Sequence, residues 1–384
     1  MKQPGQPFTI AVPQDVLDDL RRRIAATRWP RAPRGPDWEL GASLPYMRRV
    51  ADHWLNAYDW RAVEARLNRI PQRKVTVGGI GIHVFVEQGS GPAPTPIILT
   101  HGWPGSPIEL MALVEPLAHP ERFGGDVAEA FTVVVPSLPG CGFSDPPDEP
   151  ITPQAIAGMW GELMGREFGF ERYMAHGGDW GGVITSWMGV YRPPGLFGIH
   201  LNSATMPPHP SDQADLTPPE QAFADGRRNR TVGETAYQAI QGGKPLSLAY
   251  AQADSPVGLA AWILEKFHGW TIKGQEADPP FPLDELISNV MFYWLGDAQA
   301  MSWLYRFLVD GSSFRLAQGQ KVAVPAGFCV FPNEMSAPPP EAWLRRSYDQ
   351  VVRYTAAPAG GHFPGLEHPG LLVDEIRAFR RQLA

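Results

Sequence analysis

Four short segments hold the residues best suited to chemistry. In Gly177-Gly178-Asp179-Trp180-Gly181-Gly182 a single carboxylate stands among four glycines. Glycine allows a tight backbone and close approach of neighbouring chain, so Asp179 can sit at the tip of a sharp turn as a nucleophile. Placed at a helix start, it would stay ionised, because the free N–H groups and the helix dipole favour the anion. An Asp there can also be a plain cap; the glycines favour the nucleophile. A nucleophilic carboxylate calls for a partner base, and ten histidines compete for that role. His362, in Gly-Gly-His-Phe-Pro, comes after the last expected strand and before the last helix. His101 and His176 lie inside other turn segments and read as loop supports; His368 opens the final helix. A histidine base needs an acceptor to hold its ring. Glu334, in Phe-Pro-Asn-Glu, directly follows a strand, and Asp310, in Leu-Val-Asp-Gly-Ser-Ser, competes with it. A fourth segment, His101-Gly102-Trp103-Pro104-Gly105-Ser106, can aim a backbone N–H into the same place.

Such residues must be carried by elements that end close together. Lys74-Val-Thr-Val and Ile82-His-Val-Phe-Val, separated by Gly-Gly-Ile-Gly, predict an antiparallel hairpin. Short apolar runs at 96–102, 131–140, 172–182 and 198–204 alternate with helix-length segments, which predicts a parallel sheet covered on both faces. Open α/β sheets of this kind bind ligands at the carboxyl ends of their strands. From 207 to about 316 strands give way to helix-like segments, and the strand pattern returns at 322–331 and 352–357. Residues 1–70 read as helical, with Val16, Leu17, Leu20 and Ile24 on one face and Met47, Val50 and Trp54 on another. The expected organisation is a helical segment over 1–70 wrapping the core, core over 71–206, a helical lid over 207–316, and the rest of the core over 317–384.

Composition narrows the function classes. Of 384 residues, 43% are hydrophobic and 19% charged, which suffices for a large core and excludes wholesale disorder. Net charge is −7 without a long basic run, which argues against nucleic acid as partner. No apolar run approaches the roughly 18 residues of a membrane span, and the N-terminus lacks the apolar core of a signal peptide. A cytoplasmic location is therefore expected, with no membrane anchor. Cys141 and Cys329 are the only cysteines. They are too few for a disulfide framework or a Cys-rich zinc site and read as inert buried thiols. No metal or cofactor is expected.

The Gly-Gly-Asp-Trp-Gly-Gly turn resembles the nucleophile elbow of α/β-hydrolases, with Asp179 where Ser usually stands. No G-x-S-x-G occurs in the chain, so a serine esterase is not expected. Together with His-Gly-Trp-Pro-Gly-Ser, Phe-Pro-Asn-Glu and Gly-Gly-His-Phe, it looks like the microsomal type of epoxide hydrolase. The likeness runs from about residue 7 to the C-terminus and includes the segments 58–68 and 254–267. The mammalian members carry an N-terminal membrane anchor, a departure from this sequence.

The resemblance implies an α/β-hydrolase fold and a two-step reaction. Asp179 would attack an epoxide carbon to give an alkyl-enzyme ester, and water activated by His362 would hydrolyse it to a diol. It further implies oxyanion donors at the backbone of Trp103 and Trp180 and lid tyrosines as hydrogen-bond acids toward the epoxide oxygen. Four tyrosines lie in the lid. Tyr305, in Leu-Tyr-Arg-Phe, and Tyr237, ahead of Ile-Gln and Lys-Pro, match the family positions; Tyr250 and Tyr293 read as core or pocket aromatics. Trp262, Phe267, Trp270, Met291, Phe292, Trp294, Met301 and Trp303 suggest an apolar or aromatic epoxide. The alternatives are a haloalkane dehalogenase, in which Trp180 would help to hold halide, and an inactive hydrolase fold that only binds. Expected partners are the small epoxide and water, with a homodimer as the assembly to test.

Overall fold

A computed structural model describes residues 2–32, 34–203, 206–228, 232–271 and 278–383. It contains one nine-stranded sheet. The strands are β1 (Gln6–Phe8), β2 (Gln72–Val77), β3 (Ile80–Glu87), β4 (Thr95–Thr100), β5 (Phe131–Pro136), β6 (Tyr173–Gly177), β7 (Leu196–Leu201), β8 (Ala326–Val330) and β9 (Val351–Ala356). Their spatial order is β1-β2-β3-β5-β4-β6-β7-β8-β9. The first three are antiparallel additions at one edge, and β5 through β9 form a parallel set around β4. The protein has the α/β-hydrolase fold.

The parallel strands are almost wholly apolar because helices cover both faces. Every residue of β5, β6 and β8 is buried. Strand order reverses at β4: β5 lies on one side, while the chain resumes with β6 on the other. That reversal opens a crevice beyond the carboxyl ends of β4 and β6, where Thr100 pairs with Gly177.

Two details differ from the sequence reading. Within the first 70 residues, Gln6–Phe8 is a strand paired antiparallel with β2; three residues are too few to show a period of two. The expected strand from 322 begins only at Ala326, since Pro325 has no N–H to give to a ladder, and Val322 makes only an isolated bridge to Tyr348. Three helices do occupy the N-terminal segment, Gln14–Ala25, Leu44–Asn56 and Trp60–Leu67. Leu17, Leu20 and Ile24 are buried, but Val16 faces outward.

Between β7 and β8 the described residues are helical, without a strand. These helices include Val232–Gly243, Pro256–Gly269, Leu283–Trp294 and Leu304–Val309. The N-terminal segment is tied to them. Arg66 pairs with Glu285 through both guanidinium nitrogens, Tyr58 shares a hydrogen bond with Ser288 at 3.1 Å, and Arg23 meets Asp254 at 2.9 Å. Among the described residues no helix is long and apolar enough to cross a membrane. Both cysteines are buried free thiols.

Candidate active site

Asp179 directly follows Gly178, which caps the helix Asp179–Tyr191 after β6. Its φ of 50° lies in the left-handed region, which costs a non-glycine residue about 1–3 kcal/mol and persists only where the surroundings enforce it. The surroundings are the glycines. A Cβ on Gly181 would stand 1.9 Å from the Thr100 carbonyl oxygen, so only glycine lets this helix press against the end of β4. The turn thus forces the Asp179 side chain out over the crevice, away from a capping role. Its amide donates to Ser203 Oγ at 2.8 Å.

The loop after β4 meets it there. The Trp103 N–H donates to Asp179 Oδ1 at 2.8 Å, and the Trp180 N–H also bonds the carboxylate. His101 shapes this loop: its Nε2 accepts from the Leu138 N–H at 3.1 Å, so its Nδ1–H donates to the Gly102 carbonyl at 2.9 Å. Burial pushes its pKa down to about 4, so the ring is neutral. His176 is likewise pushed down to about 4 by burial and sits 3.0 Å from the His200 ring. Both rings are buried, and their hydrogen bonds are to the protein interior.

Glu334 and His362 follow the neighbouring strands β8 and β9. His362 Nδ1 lies 2.8 and 2.9 Å from the two Glu334 carboxylate oxygens, and its Nε2 lies 3.6 Å from Asp179 Oδ2. The structure therefore brings Asp179, His362 and Glu334 into one line. Asp310 instead holds the Ser312 hydroxyl at 2.6 Å, within its own loop. The His362 backbone is fixed from the inserted helices, donating to the Trp270 carbonyl at 3.1 Å.

Charge in this line is strongly coupled. Burial by itself would lower the His362 pKa; the Glu334 carboxylate, then Asp179, outweigh it and raise the group to about 9. Asp179 is shifted upward by burial, against the pull of His362 and of the Trp103 and Trp180 amides. The sequence reading weighed only the helix start, which favours the anion; enclosure opposes it.

The inserted helices close the site from above. Tyr237 stacks on Trp103 with ring centroids 5.0 Å apart, and Tyr305 sits edge-on to Trp103 and Trp180 at 5.6 and 5.1 Å. The two tyrosines are 5.4 Å apart, centroid to centroid. Both line a cavity of about 220 Å³ with Asp179 and His362. Burial raises the Tyr305 pKa well above 10, so its hydroxyl is protonated at neutral pH. Tyr293 is committed elsewhere, donating to the Gly105 carbonyl at 2.5 Å. Tyr250 is 75% exposed and is neither core nor pocket.

The apolar cavity wall is not the one the sequence suggested. Of the eight lid residues named for substrate preference, none lines this cavity among the described residues; Phe267, Trp270, Met291, Phe292 and Met301 are buried in packing instead. The apolar part of the wall includes Val183, Phe223, Leu308, Phe314, Phe331 and Met335, and its polar members include Asn202, Ser203, Arg227, Gln238 and Ser336. Two further carboxyls escaped the sequence reading. Glu367 accepts from the Gly361 N–H at 2.9 Å and the Phe363 N–H at 3.0 Å, clamping the backbone on both sides of His362. Glu109 faces Asp179 and His362 from the helix Pro107–Ala118. In sequence both look like ordinary helix-start acids.

Comparison with known proteins shows the family and the fold. Residues 5–110 match the epoxide hydrolase N-terminus model, and 95–272 match the alpha/beta hydrolase fold. A Stigmatella aurantiaca protein bearing the epoxide hydrolase name is 41% identical over 98% of this chain and 85% of its own. Epoxide hydrolase 1 of Sus scrofa is 31% identical over 97% of this chain and 88% of its own. The structure of Aspergillus niger epoxide hydrolase superposes with a TM-score of 0.84 at 28% identity, covering 100% of this chain and 97% of that one. With Asp179, at a strand-to-helix turn, facing a histidine–glutamate pair under two tyrosines, and with relatives matched over nearly its whole length, the chain belongs to the epoxide hydrolases of the microsomal type.

Proposed function

We propose that this protein opens an apolar epoxide to a vicinal diol through an ester on Asp179. The observation that carries the reading is the shared enclosure of the Asp179 carboxylate and the Tyr237 and Tyr305 side chains in one cavity. Asp179 Oδ1 is engaged by the Trp103 N–H, which leaves Oδ2 to attack an epoxide carbon. As the C–O bond breaks, the oxygen becomes a basic alkoxide and takes a proton from the tyrosine pair. Alkylation removes the negative charge of Asp179, and with it part of what holds His362 protonated. The His362 pKa then falls, its proton returns to the tyrosinate, and the neutral ring can act as a base.

In the second step a water attacks the ester carbon and gives one proton to His362. The oxyanion forms at Oδ1, where the Trp103 and Trp180 amides stabilise it. Collapse expels the diol oxygen, which recovers the proton from His362. Glu334 orients the ring and balances its charge. The cavity wall of Val183, Phe223, Phe314 and Phe331 suits an apolar or aromatic substituent. Two tyrosines favour an epoxide over a halide, which leaves as a weakly basic anion and does not call for an acid. A cap formed by residues 207–316 and a core of 71–206 plus 317–384 complete this reading.

The test is direct. Incubation with styrene oxide and with a haloalkane should yield diol and no halide. Asp179→Ala should abolish diol formation while leaving the fold intact. His362→Gln should still alkylate, so intact-mass measurement should show protein plus substrate accumulating. Halide release would point to a dehalogenase, and turnover by Asp179→Ala would end the covalent mechanism.

A further inference from the structure

Behind the Asp179 carboxylate, on the core side, lies a second, much smaller cavity of about 10 Å³. That is room for about one water molecule, which needs two to four polar partners to be held. Three ionisable side chains at this cavity suit the second step, namely Asp179, His362 and Glu109. The first two belong to the reaction already described. Glu109 does not, and its orientation is unusual for its place in the sequence.

Ser106-Pro-Ile-Glu109 has the spacing of a capping box, in which the glutamate reaches back to the amide of the cap residue. Ser106 does cap the helix, its side chain accepting from the Ile108 N–H at 3.3 Å rather than from that of Glu109. The reciprocal glutamate bond is not made. The Glu109 carboxyl takes no hydrogen bond from any described residue and lines the small cavity instead. Gly105 makes this possible, since a Cβ there would stand 2.3 Å from Glu109 Oε2. The carboxyl therefore gives up a cap to face the nucleophile and the base. The half-buried carboxyl is thus left unpartnered at the wall of this cavity, where a water can bridge it to the Asp179 and His362 side.

We infer that Glu109 holds the water that hydrolyses the ester on Asp179, and so is a further catalytic residue; the inference rests on the epoxide hydrolase reading above. A hydrolytic water has two hydrogens to place and one lone pair to aim. One hydrogen faces His362 Nε2 and is transferred as the O–Cγ bond forms. The second is donated to Glu109, which leaves the lone pair directed at Cγ. It remains on the new carboxyl group, and after the diol departs it passes to His362, restoring the resting pair. Burial raises the Glu109 pKa to about 8, so a neutral carboxyl offers its carbonyl oxygen without adding another negative charge beside Asp179 and Glu334.

Rapid-quench kinetics with styrene oxide, followed by intact mass, separate the two half-reactions. Glu109→Leu should alkylate at the wild-type rate but hydrolyse the ester about 10- to 100-fold more slowly, as expected for a misplaced reactant. Adduct should accumulate, and the alkylation phase reports that the variant is folded. Glu109→Gln keeps an acceptor carbonyl and should recover most of the lost hydrolysis rate. Ester hydrolysis at the wild-type rate in Glu109→Leu would overturn the inference, as would equal slowing of both phases, which marks a structural role. A wild type that forms neither adduct nor diol would instead overturn the epoxide hydrolase reading, and this inference with it.

Discussion

Tyr237 and Tyr305 differ from the other lid tyrosines only in where their hydroxyls can reach. Tyr293 is tied to the Gly105 carbonyl and Tyr250 faces solvent, so neither is free to serve the Asp179 cavity. Removing one good donor from a developing oxyanion costs about 2.7–4 kcal/mol. With two donors the survivor compensates in part, so Tyr305→Phe and Tyr237→Phe should each slow alkylation by no more than that range, and the double variant should nearly stop it. Ester hydrolysis should change little. Single-turnover alkylation and hydrolysis rates check both expectations, and wild-type alkylation in both single variants would remove the tyrosines from the mechanism.

The N-terminal helices act at the scale of elements. The helix Leu44–Asn56 buries Tyr46, Met47, Val50 and Trp54, and it packs on the Pro256–Gly269 and Leu283–Trp294 helices. The first of these leads into Trp270, whose carbonyl holds the His362 amide. Packing at one end of the chain thus supports the His362 backbone at the other. Trp54→Ala should cost about 3–5 kcal/mol of stability as a large-to-small core change. The lower half of the range is expected, because the buried Trp54 indole N–H has no hydrogen-bond partner among the described residues. Urea unfolding followed by fluorescence measures the loss; a change below about 1 kcal/mol would show that the segment packs only loosely on the rest.

For the whole molecule, the enclosed acids and the base couple stability to pH. His362 rises from 6.5 to about 9, Glu109 from 4.5 to about 8 and Glu367 from 4.5 to about 7. In each case the folded protein binds the proton more tightly than the unfolded chain. The His362 contribution is complete below about pH 6.5 and is lost as pH rises through 9; the two carboxyls begin to weaken the fold once the unfolded chain ionises above about 4.5. Glu220 works the other way: Arg346 holds it down to about 2, and its contribution fades only in acid. Melting temperature should therefore fall between about pH 6 and 9. Glu109→Gln should flatten the slope, and a slope identical to wild type would show that Glu109 does not titrate in this window.

Sequence by itself determined what depends on local covalent constraint. Four glycines around one aspartate dictate a turn whatever surrounds it, and apolar runs ending in glycine mark strand ends. Asp179, His362 and Glu334, which the structure brings within reach of one another, could be picked out as candidates for that reason, as could the change from strands to helices after residue 204. Tertiary structure alone decided which face of each side chain meets which neighbour. Ser-x-x-Glu at 106–109 reads as a cap, yet Gly105 and the closing helices leave Glu109 turned toward His362. The lid aromatics read as a substrate wall, yet most are buried in packing, and the cavity is walled by Phe223, Phe314 and Phe331. The physical reason is common to both cases. Periodicity records which residues avoid water, but the partner they find is set by elements hundreds of residues away, whose approach no local pattern encodes.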